Sequence, residues 1–256
     1  MRPADELRDI VETYLRSVAF ATELGGLEEA LRYSLESGGK RVRPVLCLAV
    51  AEANGASVED ALPAAAALEL VHTFSLVHDD LPAMDDDDER RGRPSAHVAF
   101  GEGVALLAGD ALLAEALRLA LSYGSEDVAR DLVEAALGMI GGQYRDITGD
   151  DGDLQELHRL KTGRLFVGAV RLGLDVAAVT EDVRDEWVAF GEEVGLLFQV
   201  VDDVLDGDGY AERLGEDEAR RLAEEVAARA RARLEGVGGE TQVLHELVDA
   251  LSFRTG

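Results

Sequence analysis

Six aspartates fall between Asp79 and Asp88 in the stretch HDDLPAMDDDDERRGRP (residues 78–94), and Arg90 and Arg91 follow at once. Several carboxylates on a semi-rigid turn make a hard, oxygen-rich surface of the kind Mg²⁺ takes. Asp79 and Asp80 close an apolar, helix-like run, and Pro82 disrupts that helix and turns the residue before it away from helical geometry. The dipole is already negative there, so acids at this end cost energy unless a cation compensates. A second group stands in QVVDDVLDGDG (199–209), where Asp202 and Asp206 are at i and i+4 and Asp203 sits one position round. Like charges at that spacing repel along one helix face. In a chain with 52 acids, a charge run is usually solvated surface, and Asp86 to Asp88 are read that way. Asp79, Asp80, Asp202 and Asp203 follow FSLV and LFQVV, which argues against simple solvation. Two acidic walls facing one cavity could hold divalent cations against a phosphate or diphosphate.

Groups suited to anions are also present. GGKRVRP (38–44) sets Lys40, Arg41 and Arg43 after a Gly-Gly break at an expected helix start, where backbone N–H groups favour negative charge. HRLKTGR (158–164) adds Lys161, Thr162 and Arg164. Lys40 and Lys161 are the two lysines among 25 basic residues; Lys40 follows Gly39, and Lys161 stands two residues before Gly163.

The elements that must position these groups are helical. Apolar residues make up 47% and aromatic residues 5%, and alternating strand segments are nearly absent. Helical periodicity predicts segments near 5–22, 26–37, 42–54, 58–80, 102–122, 126–148, 154–176, 181–206, 214–235 and 241–253. The clearest is 181–206, with Val183, Trp187, Phe190, Val194, Leu197, Val201 and Leu205 on one face and Thr180 placed to cap its start. Breaks fall at Gly25-Gly26, Gly38-Gly39, Asn54-Gly55, Gly92, Tyr123-Gly124 and Gly149 to Gly152, none long enough for a linker. The expectation is one all-α domain, 1–256, a bundle of about ten helices.

In order along the chain, GGKRVRP (38–44), LELVHTFSLVHDDLPAMDDDDERRGRPSAH (68–97), LLAGDALL (106–113), GGQYRDI (141–147), HRLKTGRLF (158–166) and GLLFQVVDDVLD (195–206) resemble the trans-isoprenyl diphosphate synthases, the farnesyl/geranylgeranyl diphosphate synthase family. The resemblance implies the all-α isoprenoid synthase fold with a central cavity ringed by helices, a homodimer, and Mg²⁺-dependent condensation of isopentenyl diphosphate with an allylic diphosphate. Carried over by motif, Asp79, Asp85 and Asp202 would ligate Mg²⁺, with Asp80, Asp203 and Asp206 supporting them. Lys40, Arg43, His72 and Arg91 would hold isopentenyl diphosphate. Arg90, Lys161, Thr162 and Gln199 would face the allylic diphosphate. His78 and His97 are read as structural. Phe74, five residues before Asp79, is where this family often sets a floor under the growing chain, and its bulk implies a C15 or C20 product.

The sequence departs from the pattern at one place. The family follows its second aspartate motif with a loop bearing a Gly-Lys pair and a Lys-x-Thr-Tyr-Pro segment. Here DDVLDGDG runs straight into YAERLGEDEARRLAEE, and no lysine follows Lys161. The competing reading is therefore a loop-deleted partner subunit that modulates a full-length synthase. A terpene cyclase ranks lower, because Lys40, Arg43 and His72 would have no use there.

The formal charge of −27 excludes nucleic acid and anionic membrane as partners, since both demand a basic surface. The run ALPAAAALELVHTFSLV carries Glu69 and His72 and is short for a membrane span. The charged N-terminal stretch MRPADELRDI lacks a secretory apolar core, so a cytoplasmic location is expected. Cys47, the single cysteine, sits in the apolar run VLCLAV and reads as a small buried side chain. The acid is spread along the whole chain, which suits concentrated salt, where screening weakens self-repulsion. The expected outcome is a higher urea midpoint in molar KCl than in dilute buffer; equal midpoints would remove the salt-adapted reading.

Overall fold

The computed structural model describes residues 2–149 and 154–252. The helices are α1 (Ala4–Ser17), α2 (Glu28–Leu35), α3 (Val42–Ala53), α4 (Val58–Asp79), α5 (Ala96–Phe100), α6 (Glu102–Ala120), α7 (Asp127–Thr148), α8 (Leu154–His158), α9 (Arg164–Val176), α10 (Arg184–Asp206), α11 (Gly209–Leu214), α12 (Glu216–Gly236) and α13 (Gln242–Ser252). One π-helical turn, Arg159–Gly163, joins α8 to α9. This is the all-α bundle the periodicity predicts. The predicted break at Gly152 and the last predicted helical residue, Phe253, lie outside the described residues.

Helix α4 organises the bundle. Its Ala- and Leu-rich surface is apolar on almost every side and packs on α6, α3 and α9. An all-round apolar helix must be enclosed. It is long and apolar enough to cross a membrane, yet most of it is buried inside the bundle. Ser57 caps its start by accepting from the Asp60 N–H at 3.0 Å. Pro63 interrupts the ladder one turn later. The Tyr123 hydroxyl bridges the gap, accepting from the Ala64 N–H at 3.0 Å and donating to the Asp60 carbonyl at 2.7 Å. The helix therefore runs on to Asp79, where its polar end meets the cavity.

Four sequence expectations need correction. The 181–206 stripe is buried from Trp187 to Val201, but Val183 and Leu205 are half exposed, because Val183 precedes α10 in a 3₁₀ turn and Leu205 lies on its open last turn. Thr180 does not cap this helix; its hydroxyl donates to the Asp182 carboxylate instead. Between α4 and α5, Glu89–Arg90 and Arg93–Pro94 form a small antiparallel hairpin, β1 and β2, which carries no strand signature. Finally, Arg41 is not a free anion ligand.

Arg41 is 4% exposed and adopts the left-handed backbone region, φ 47°. Its guanidinium donates to Glu12 of α1 at 2.7 Å, to Glu69 of α4 at 2.5 Å and to the Leu35 carbonyl that ends α2 at 2.5 Å. Four elements meet on one side chain. Burial alone would lower its pKa, but Glu69 and Glu12 outweigh that and raise it, so it stays charged. Removing one partner of a buried pair strands the other. Arg41→Met is expected to cost about 3–5 kcal/mol of unfolding free energy, while Arg41→Met combined with Glu69→Leu recovers most of it. Urea titration checks this, and equal losses in both variants would show that the ion pair is not what holds the junction.

Candidate functional site

A cavity of about 610 Å³ opens at the C-terminal end of α4, walled by the 39–43 segment, α4, the hairpin and α10. Lys40, Arg43, His72, Arg90, Arg91, Thr162, Gln199 and Asp202 all line it. A second compartment of about 260 Å³, sharing Arg43, His72, Leu76 and Thr162, continues along α4 past Asp79 and Lys161 to Phe74, Met139, Ile140 and Leu165. One end is cationic and the other apolar.

Each wall has a local cause. Arg43 leaves the first turn of α3 and lies against two rings, Phe166 at 4.6 Å and Phe198 at 5.4 Å from its guanidinium carbon. The ring faces attract it. Burial lowers its pKa to about 10, so it remains a cation at neutral pH. Its Nε is buried without a hydrogen-bond partner among the described residues, and such an orphan donor costs energy until an acceptor arrives. His72 stands 3.5 Å from Arg43. Burial, then Arg43 and Arg91, hold its pKa well below the ordinary histidine value, so it is neutral at pH 7.

The hairpin delivers the two arginines to different places. Arg90 donates to Asp80 and Asp87, while Arg91, at φ 57°, donates to the Gly38 carbonyl. Gly39 is required here: at φ 137° it passes so close that a Cβ would lie 2.7 Å from the Arg91 guanidinium. The loop bearing Lys40 is thus clasped by Arg91 on one side and Arg41 on the other.

The resemblance gave Asp79, Asp85 and Asp202 to Mg²⁺ and Asp80, Asp203 and Asp206 to their support, and the structure gives the six different surroundings. Asp79 lies half-buried in the apolar compartment, and Asp202 in the cationic one. Asp85 is exposed, and its N–H donates to the Asp79 carbonyl at 2.8 Å, which folds the acidic turn back on α4. Burial, against Lys161 and together with Asp85, raises the Asp79 pKa to about 6. Asp80 is 3% exposed and committed to Arg90. Asp203, also 3% exposed, turns inward, accepting from Gln199 Nε2 at 2.6 Å and from the Tyr210 N–H at 2.8 Å. It fastens α11 to α10 and faces away from the cavity. Asp206 is exposed at the end of α10 and is not part of the cavity wall.

Thr162 and Gln199 form one unit, the hydroxyl donating to Gln199 Oε1 at 2.8 Å. Lys161 pairs with Asp146 of α7, a partner the sequence did not single out. Phe166, Phe198 and Glu69 were also missed as parts of the site. The adjacent aromatics in KTGRLF and GLLFQ were the available signal for the first two. His78 Nε2 lies 3.0 Å from the Leu106 carbonyl and the ring lines the apolar compartment, while His97 Nδ1 lies 3.0 Å from Ser95 Oγ.

Among the described residues, no three metal-ligating side chains cluster closely enough to chelate a cation unaided. Asp79 and the exposed Asp85 at the end of α4, and the cavity-facing Asp202 on α10, are hard oxygen donors on two sides. They fit cations whose remaining ligands come from a bound anion and water.

The comparisons agree with this geometry. The polyprenyl synthetase family profile matches residues 25–225. A geranylgeranyl diphosphate synthase from Cyanophora paradoxa is 40% identical, the match covering 87% of this chain and 79% of that protein. A farnesyl diphosphate synthase from Bacillus subtilis (strain 168) is 41% identical, covering 74% and 69% respectively. The crystal structure of a geranyltransferase from Legionella pneumophila superposes with a TM-score of 0.87 at 33% identity, covering 98% of this chain and 96% of that one. This chain belongs to the polyprenyl synthetase family.

Proposed function

We propose that this enzyme is a short-chain prenyltransferase that condenses isopentenyl diphosphate with dimethylallyl, geranyl or farnesyl diphosphate. The observation that carries the reading is the continuity of the cationic cavity with the apolar compartment, with a carboxylate wall on each side. Lys40, Arg43, His72 and Arg91 hold isopentenyl diphosphate. Arg90, Lys161, Thr162 and Gln199 face the allylic diphosphate. Asp79, Asp85 and Asp202 would hold Mg²⁺, which would supply positive charge to neutralise a departing diphosphate. Asp80 acts by orienting Arg90, and Asp203 by orienting Gln199. We assign Asp206 an outer supporting role only.

In the reaction, the allylic C1–O bond breaks and diphosphate leaves with the electron pair. The isopentenyl double bond attacks C1, a proton is lost, and a new allylic diphosphate remains. Arg43 and neutral His72 anchor the acceptor, and Leu76, Met139 and Leu165 exclude water from the cation. Positioning and fixed charge supply the acceleration. Soluble diphosphate substrates suit a cytoplasmic site.

We assign a homodimer to the same reading. Along α7, Val133, Leu137, Ile140, Tyr144 and Ile147 are spaced four, three, four and three residues apart and are 37–64% exposed, with Leu106 and Leu107 of α6 also open. An apolar stripe of this length fits a second copy of the chain.

Phe74 bounds the apolar compartment, in edge contact with His78 at 5.0 Å between ring centroids. Phe74→Ala should lengthen the product by one or two C5 units; an unchanged product distribution would remove Phe74 as the floor. The decisive assay incubates the purified protein in high salt and Mg²⁺ with labelled isopentenyl diphosphate and each allylic diphosphate, followed by chromatography of the dephosphorylated products. A discrete C15 or C20 alcohol is expected, abolished by Asp79→Ala and Asp202→Ala. No product from the folded protein alone, with stimulation of an added full-length synthase, would replace this reading with that of a partner subunit.

A further inference from the structure

The π-helical turn Arg159–Gly163 has two faces. Lys161 and Thr162 look into the front cavity. Its other face closes a separate cavity of about 290 Å³ between α8, α9, α10 and α12. Gly163 and Gly195 make its floor possible: a Cβ on Gly195 would sit 3.0 Å from the Gly163 Cα.

This rear cavity is lined by Arg159, Arg164, Arg171 and Arg229, drawn from three separate elements. Four arginines and two carboxylates, Glu192 and Glu193 of α10, line it in a chain of net charge −27. Arg159, Arg171 and Arg229 are held by Glu156, Asp131 and Glu193, so their guanidinium groups are fixed in place. Arg164 lies across Gly138 of α7, where a Cβ would be 2.4 Å from its side chain. Its Nε is buried with no hydrogen-bond partner among the described residues, and so is Nδ1 of His158 on the same wall. The Arg164 nitrogen is a donor short of an acceptor, while His158 Nδ1 faces Asp203 at 3.9 Å. Val167, Val188 and Leu196 give the same space an apolar side.

We propose that this rear cavity is a second anion site, for a phosphate or diphosphate group carrying a short apolar tail, distinct from the diphosphate cavity in front. Fixed guanidinium groups are suited to phosphate oxygens, and no metal is needed. Gln199 lines both cavities and bonds Thr162 in the front one and Asp203 behind it. Asp203 in turn lies 3.9 Å from His158 Nδ1. Occupancy of the rear site therefore acts on the turn that carries Lys161 and Thr162.

The test uses isopentyl phosphate as probe, in EDTA, so that metal-bridged binding in front is silent. Calorimetry measures affinity, and hydrogen exchange maps protection. The wild-type protein is expected to show protection of residues 154–171 and of α12. Arg164→Met and, separately, the more exposed Arg229→Ala are each expected to weaken that event about tenfold or more, with helix content unchanged by circular dichroism. Protection confined to the 38–43 segment and the hairpin, or equal affinity in wild type and both variants, would overturn the proposal. A loss of folding in Arg164→Met leaves the Arg229→Ala comparison to decide. Neither readout depends on turnover, so this site and the prenyltransferase reading stand or fall separately.

Discussion

A helix with no polar face can exist in water only if other helices surround it, and α4 imposes that demand on the whole chain. Its burial among α3, α6 and α9 brings together segments far apart in sequence. Its C-terminal end opens on the cavity, where the carbonyl groups and Asp79 and Asp80 give it a negative tip. The cavity forms there because that tip cannot be covered with apolar side chains. Arginines and a lysine gather on the surrounding walls for the same electrostatic reason.

The cations of the cavity are held in two different ways. Arg41 is consumed inside the protein, joining α1, α2 and α4, and its left-handed backbone turns the chain from the glycine loop into α3. Arg43, two residues later, keeps a buried Nε unpaired among the described residues, against two aromatic rings. The first arginine joins helices, and the second brings an unsatisfied donor to the cavity. Asp203 and Asp202 divide the labour on α10 in the same manner, one turned into the bundle and one toward the cavity.

Most of the architecture was legible because helical period is a property of sequence alone. The 58–80 and 102–122 segments each lie within two residues of α4 and α6. The hairpin at 89–94 was not legible, since Arg-Arg-Gly-Arg-Pro has no alternation and is held by Asp80 and Gly38, contacts distant in sequence. The roles of neighbouring residues were also hidden. Adjacent positions differ by about 100° around a helix, so Asp202 and Asp203 read alike in a motif and point to opposite surroundings. Arg41 was read as an anion ligand from its basic neighbours. Its true partners, Glu12 and Glu69, have acidic side chains in segments that the pattern treats as scaffold. Missing lysines after Asp206 were visible as a departure, and the structure adds that the chain passes through Gly207 directly into α11, tied down by Asp203.

The scarcity of lysine has a practical side. Lys40 is exposed beside the cationic cavity, and Lys161 is half-buried where the two front compartments meet. Apart from any terminal amine, these are the primary amines of the chain. An amine-reactive dye would label the mouth of the cavity almost by default, and an amine-coupled support would hold the protein by its own entrance. Immobilisation by that chemistry would block substrate entry, whereas coupling through carboxylates would leave the opening clear.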